Sequence, residues 1–303
     1  MSKIEEIASK HLGRTSDGAI MKRYETPTEV DKSLLVGIPR ELNRKDLSIT
    51  NDIFSGLDLW NCYEFSFLRS NGLPVSGMLK IQYPADSPNI VESKSLKLYL
   101  NSYNLAKFKV DHQTSLLNYN ENQYAPVLNQ IKDDLKEVLG VMPFVSFYHA
   151  GFTSTSNEST PGFLNEAIDL DIIPGAYDAQ FTAFNEDPDL LQVVDDGRFV
   201  TETLVSHNLR SNCRVTNQPD WGSVIINYSS YKRVSPISVL KYIVSMRNEN
   251  HFHEEICETI YKRLFDVLQP HRLAVMCLYT RRGGIDINPI RVSNTNFLET
   301  YFN

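Results

Sequence analysis

From Phe252 onward, apolar side chains return at every fourth position. Ile256, Ile260 and Leu264 define one face of a helix that Pro270 brings to an end. The same rhythm runs through "YAPVLNQIKDDLKEVLG", where Val127, Ile131, Leu135 and Val138 mark the buried face and Gly140 the stop. Ser235-Pro236 opens another helix, with an N-cap hydroxyl and proline at the first helical position, and Ile237, Leu240 and Ile243 or Val244 carry its stripe. Elsewhere the period drops to two. "GMLKIQYP" from Gly77 and "PFVSFYHAG" from Pro143 predict strands. So do "RFVTETLVSHNLRSNCRV" and "GSVIINYSS", on either side of a turn signalled by Asn217, Pro219, Asp220 and Gly222. The chain closes with "RLAVMCLYTRRGGIDINPIRVS", two strands joined at Arg281-Arg282-Gly283-Gly284. The first 35 residues are mixed and polar, read as a short helix and an arm.

One internal match changes this picture. "PVSGMLKIQY" (Pro74 to Tyr83) aligns with "PDWGSVIINY" (Pro219 to Tyr228), and each copy precedes a serine-containing helical segment, "SLKLYLNSYN" or "SVLKYIVSM". Two related modules of strands and helices are expected: 36–150 and 199–303, after an arm at 1–35 and with a connector at 151–198 between them. The repeat is chemically uneven, because equal offset sets Leu68 against Cys213 and Val75 against Asp220.

At 303 residues, with 42% hydrophobic, 11% aromatic and 22% charged positions, the chain is long enough for two cores and falls in the globular class. A net charge of -7 argues against a broad phosphate-binding face, so direct nucleic-acid binding is not expected. Gly151–Val200 holds ten of the acids against Arg198 alone, a pattern usual for a solvated face or connector. No apolar run reaches membrane-spanning length and "MSKIEEIASKHLGR" lacks the features of a secretory signal, which leads to a cytoplasmic expectation with no membrane partner. Cys62, Cys213, Cys257 and Cys277 show neither paired nor zinc-binding spacing and are read as free thiols.

Among these thiols Cys213 stands apart. It lies in the polar run "SNCRVTNQPDWGS", a solvent-facing setting, seven residues before Asp220, a carboxyl group that could hold or return its proton. Cys257 and Cys277 lie in apolar segments and are read as core. His253-Glu254 at a helix start fits either first-turn charge or the recognition of a purine-like ring's amide and amino edge, and Glu92 could do similar work from the other module. Lys94 and the Arg281–Gly284 turn offer cations and pliant backbone for a phosphorylated cofactor, although such turns are commonly surface features. No Rossmann or Walker string occurs, so a nucleotide cofactor would bind outside such a domain.

Taken in order, "VESKSLKLYLNS", "CRVTNQPDWGS", "FHEE" and "YTRRGGIDINP" resemble the NADPH-dependent 7-cyano-7-deazaguanine reductases of the QueF type, in their long two-module form. The resemblance implies an α+β chain of two tandem tunnelling-fold modules, antiparallel sheets with helices packed on one face, assembled as a homodimer. It implies that Cys213 adds to the nitrile carbon to form a thioimide and that Asp220 supplies protons, with no metal. Two NADPH then carry the nitrile to 7-aminomethyl-7-deazaguanine for queuosine in tRNA. Val91, Glu92, Ser93, His253 and Glu254 match the family's substrate-binding positions, and Ser93, Lys94, Arg282 and Gly283 its cofactor-binding positions. Two rivals predict other outcomes. A nitrile-hydrolysing thiol enzyme would yield amide or acid without consuming NADPH, and a silent purine or pterin binder would form no covalent adduct.

Overall fold

The computed structural model describes residues 27–50, 53–110, 121–149, 167–214 and 217–294. The arm expected at 1–35 lies outside them up to residue 26, and its described end carries a single 3-10 turn, Lys32–Leu34.

The first half runs β1 (Gly37–Pro39), α1 (Glu41–Asp46), β2 (Ser55–Arg69), β3 (Pro74–Pro84), β4 (Asn89–Val91), α2 (Ser93–Asn101), β5 (Lys107–Phe108), α3 (Ala125–Leu139) and β6 (Phe144–His149). The second runs β7 (Ile168–Asp169), β8 (Val193–Asn212), β9 (Pro219–Val234), α4 (Pro236–Ser245), α5 (His253–Leu268), β10 (Arg272–Tyr279) and β11 (Ile285–Val292). Apart from a small β1–β4 pair, the strands form one sheet in the order β6-β3-β2-β11-β10-β9-β8-β7, with β5 alongside β2. Its long pairings are all antiparallel; the two-residue strands β5 and β7 pair in parallel. The chain is therefore mixed α and β with an antiparallel-rich sheet.

Each half has its own core. In the first, Phe65, Phe67 and Phe147 on the strands meet Tyr99, Ile131 and Leu135 on the helices; in the second, Val224 and Ile226 meet Leu240, Ile256, Ile260 and Leu264. Helices α3, α4 and α5 fall where the four-residue rhythm predicts, whereas α1 is not foreshadowed by it. Gly140 ends α3 in the left-handed region at φ 77°, although Leu139 rather than half-buried Val138 completes the buried stripe. Ser235 occupies the N-cap of α4 without a side-chain capping bond, and its carbonyl accepts from the Val239 N–H instead.

The internal match corresponds to β3 and β9, and the two hairpins repeat down to their irregularities. A bulge in β2 between Cys62 and Phe65 ends where Phe65 pairs with Gly77, and one in β8 between Ser206 and Leu209 ends where Leu209 pairs with Gly222. A Cβ at Gly77 would meet the Tyr148 carbonyl oxygen at 2.1 Å, and one at Gly222 the Leu278 carbonyl oxygen at 2.8 Å, so both positions need glycine for a close strand approach. Pairing corrects one alignment. Val75 does correspond to Asp220, but Leu68 faces Pro74 as Asn212 faces Pro219. Cys213 lies just beyond, in a turn one residue longer.

Part of the acidic run, residues 150–166, lies outside the described residues. The remainder is not merely solvated: Leu170, Ala176 and Leu191 enter the second core, Asp171 accepts from the Ser206 hydroxyl and the His207 N–H, and Glu186 pairs with Arg263. Among the described residues, no helix is long and apolar enough to cross a membrane.

Strand β11 joins the halves, pairing with β10 on one side and with β2 on the other, so that Ile287 lies opposite Trp60. A buried charge cluster spans the same junction. Arg291 donates to Asp58 and Glu258, Arg44 donates to Glu258, and Arg40 donates to Asp58. The partners come from α1, β2, α5 and β11, so separating the halves would strand buried charges, a strongly unfavourable change.

Candidate active site

Where the halves meet, a cavity of about 400 Å³ opens, within the range of small-molecule sites. Its wall is assembled from segments far apart in sequence. Strands β2 and β11 supply Trp60, Ile285 and Ile287; the β4–α2 corner supplies Val91, Ser93 and Lys94. The β8–β9 turn supplies Cys213, Gln218 and Asp220, the start of α5 supplies His253 and Glu254, and the β10–β11 turn supplies Arg282 and Gly283. Of the residues that match the family's catalytic, substrate-binding and cofactor-binding positions, all but Glu92 line this one cavity.

Cys213 is 9% exposed, so it is not solvent-facing as its polar setting suggested; the thiol borders the cavity rather than bulk water. The turn that holds it is tight. Cys213 N–H donates to the Gln218 carbonyl at 2.8 Å, its own carbonyl accepts from Asn217 N–H at 2.8 Å, and Asn217 takes a left-handed φ of 54°. The other three cysteines are buried. Burial pushes the Cys62 and Cys277 thiols upward, which makes them poor nucleophiles.

Asp220 is the second residue of β9, and its carboxylate is held from two sides. Arg282 donates to Oδ1, and His253 Nε2 stands 3.4 Å from Oδ2. Burial pushes its proton affinity up, but the hydrogen bonds and charges of His253 and Arg282 outweigh that and hold the carboxyl below the usual aspartate value. In the ligand-free site Asp220 is therefore an anion, ready to take a proton before it can give one. The His253 ring is clamped flat against Tyr279, 3.7 Å between centroids and 5° from parallel.

Glu254 has the opposite environment. It is buried, and burial, followed by the charge of Asp58, pushes its carboxyl up to about 8. Its Oε1 has no hydrogen-bond partner in the protein. Capping of α5 falls to Glu255, whose carboxylate accepts from the Phe252 N–H at 3.0 Å, so Glu254 is not committed to the helix end. A buried, unpaired carboxyl oxygen on a cavity wall is an acceptor for a ligand's N–H groups.

Glu92 is engaged at a helix start. It is the N-cap of α2, accepting from the Lys94 N–H at 3.0 Å and the Ser95 N–H at 2.7 Å. Beside it, the cavity rim is cationic. Gly283 has φ 57°, a left-handed conformation that favours glycine, and the Lys97 ammonium lies 2.8 Å from where a Cβ would stand. Lys94 and Arg282 border the same opening. Arg281 is not on the wall; its guanidinium lies 4.8 Å from the centre of the Tyr63 ring. Among the described residues no group of His, Cys, Asp and Glu is arranged to hold a metal ion.

The sequence reading missed Trp60, Lys97, Gln218, Ile285 and Ile287. Trp60 sits in the alternating run "DLWNCY", which signals a buried strand face but not a pocket wall. Lys97 lies one helical turn after Lys94, a spacing that could have placed it on the same rim.

Comparison with known proteins bears on the same residues. A family described as "Nitrile reductase, 7-cyano-7-deazaguanine-reductase N-term" matches residues 26–139, and one described as "QueF-like protein" matches residues 219–296. The chain is 40% identical over 289 residues to the NADPH-dependent 7-cyano-7-deazaguanine reductase of Dechloromonas aromatica (strain RCB), covering 94% of each chain. It is 39% identical over 263 residues to the protein of the same name from Azoarcus sp. (strain BH72), covering 86% of this chain and 85% of that one.

Proposed function

The chain belongs to the 7-cyano-7-deazaguanine reductase family, and on that premise we propose that it reduces the nitrile of 7-cyano-7-deazaguanine to the primary amine at the expense of NADPH, on the route to queuosine in tRNA. The proposal includes two tandem tunnelling-fold modules, 36–150 and 199–303, with the reacting pair in the second. The observation that carries it is that Cys213, Asp220 and the unpartnered oxygen of Glu254 border one cavity.

In this reading Glu254 accepts the base's N–H donors, with His253, Val91 and Ser93 fixing the ring. The nitrile carbon then lies against Cys213. Asp220, an anion at rest, takes the thiol proton as sulfur bonds to carbon, and returns it to the nitrile nitrogen, leaving a neutral thioimide. Asp220 is thus a base before it is an acid. After a first hydride reaches the thioimide carbon the C–S bond breaks, sulfur leaves as thiolate, and the imine keeps its single N–H. A second hydride to the imine carbon, with one solvent proton passed through Asp220 to the nitrogen and another to the thiolate, completes the amine and restores the thiol. The apolar wall formed by Trp60, Ile285 and Ile287 keeps water from the imine so released.

The cationic rim of Ser93, Lys94, Lys97, Arg282 and Gly283 fits the phosphates of a dinucleotide. NADPH, when bound there, supplies hydride.

The test is to mix protein, 7-cyano-7-deazaguanine and NADPH, follow the fall in NADPH absorbance, and weigh the product. Two NADPH consumed per amine formed is expected. Amide or acid formed without NADPH consumption would replace this reading with hydrolysis. Ring binding with neither product nor an added mass on Cys213 would leave a silent binder.

A further inference from the structure

Three cavity-lining residues carry a buried polar atom that no protein group satisfies: Glu254 Oε1, His253 Nδ1 and Trp60 Nε1. Leaving a buried donor or acceptor unmatched is unfavourable. Three of the ten such atoms among the described residues share this one small wall, which marks a surface shaped for a polar ligand. The proposed function uses Glu254 and His253. It has no use for the indole N–H of Trp60.

We propose that Trp60 is a further recognition residue, its indole N–H donating a hydrogen bond to a ring acceptor of the bound base; this inference rests on the functional reading above. Trp60 is 1% exposed and fixed by its surroundings. Its Cα pairs with that of Ile287 across the β2–β11 ladder, and its ring tilts against Tyr83 at a centroid distance of 6.5 Å. An indole nitrogen donates and never accepts. Glu254, when ionised, accepts and never donates. Together the two sort a ligand by polarity, demanding N–H groups at one point and an acceptor at another. The apolar Val91, Ile285 and Ile287 share the wall with it, and a buried donor there discriminates between ligands, because a ring without the matching acceptor leaves it unpaired.

The experiment uses the full chain carrying Cys213→Ala, which blocks covalent capture, titrated calorimetrically with 7-cyano-7-deazaguanine. Three versions are compared: Trp60 intact, Trp60→Phe, and 3-benzothienylalanine at position 60, which keeps the two-ring shape and puts sulfur in place of N–H. The dissociation constant is expected to rise roughly tenfold in both replaced proteins, the scale of one buried hydrogen bond. The ligand-free benzothienyl protein should melt no lower than its parent, since an unmatched donor has been removed. Equal affinity in the intact and benzothienyl proteins overturns the inference, whatever happens to melting, and reduces Trp60 to a packing residue. Failure of the Trp60-intact protein to bind the base overturns the functional reading instead.

Discussion

The hairpins β2–β3 and β8–β9 share a frame and differ at their tips. Both second strands begin at a proline, Pro74 or Pro219, and both place a glycine at the edge of a bulge. At the pair just inside the turn, the first hairpin sets Phe67 across from Val75, both buried among Tyr124 and Phe147. The second sets Ser211 across from Asp220, both buried too, but polar. The shared pattern of alternation and glycine fixes the backbone and leaves the tip pair free. In one half that pair is spent on core. In the other it carries a carboxylate, which is tolerable only because Arg282 and His253 reach it.

The strongest way to break this contrast is at the thiol just outside the second tip. Cys213→Ala should lower turnover by more than about 10⁴-fold, as loss of a nucleophile does, and abolish the added mass on incubation with the nitrile. A variant with a tenth of normal turnover would show that the second tip is no more reactive than the first.

Next in size is the tip pair itself. Asp220→Val copies the first hairpin, and Asp220→Asn keeps the shape while removing the charge. Both should slow turnover by roughly 10²–10⁴-fold, the range of general acid–base assistance. The stability effect has a definite sign. Because the folded protein holds Asp220 below its ordinary value, its contribution is present above the unfolded carboxylate pKa and is lost as pH falls through the lowered folded value. Wild type should therefore melt above Asp220→Asn at neutral pH, with the gap closing in acid. A gap that stays constant to low pH would mean that Arg282 and His253 do not support the charge.

Glu254 sharpens the same comparison, being a buried carboxyl without a counter-ion of its own. Glu254→Gln should weaken binding of the base about 10–100-fold, the scale of hydrogen bonds to a charged acceptor. Its folded value near 8 is raised, so its favourable contribution is present below the unfolded pKa and lost as pH rises through about 8. The Gln variant should consequently gain on wild type in melting temperature between acid and pH 9. Base binding at pH 7 should release protons in wild type and not in the variant. Calorimetry in two buffers of different ionisation enthalpy reads this, and equal proton release in the two proteins would assign the shifted group elsewhere.

These residues differ in how far the sequence exposes them. The helical stripes and the strand alternation depend on side chains a few positions apart, so the elements and the hairpin repeat are readable from the chain. Cys213 and Asp220 are readable because they stand seven residues apart around one turn. Trp60 is not, because its place on the wall depends on β2 pairing with β11, more than two hundred residues away. The same holds for the cluster of Arg40, Asp58, Glu258 and Arg291, whose members look like scattered surface charges until four elements converge. Depth misleads as well. The polar run around Cys213 suggests an exposed turn, yet folding seats that thiol in the wall of a closed junction.

The smallest effect belongs to Glu92, where the two halves meet differently from the hairpin tips. The family resemblance gives it the ring, whereas its carboxylate is engaged by the backbone N–H groups of Lys94 and Ser95. A capping role would hold the α2 start, where Ser93 and Lys94 line the cavity. Glu92→Ala should cost about 1 kcal/mol of stability, typical of a lost N-cap, and raise the base's dissociation constant only a few-fold. Glu92→Asp separates the two roles. Aspartate is a strong N-cap but shorter by one methylene, so a capping role predicts recovery of both melting temperature and affinity. Recovery of melting with affinity still lost would return Glu92 to direct contact with the ring, and with it a carboxylate from the first half to the work that Asp220 and Glu254 share in the second.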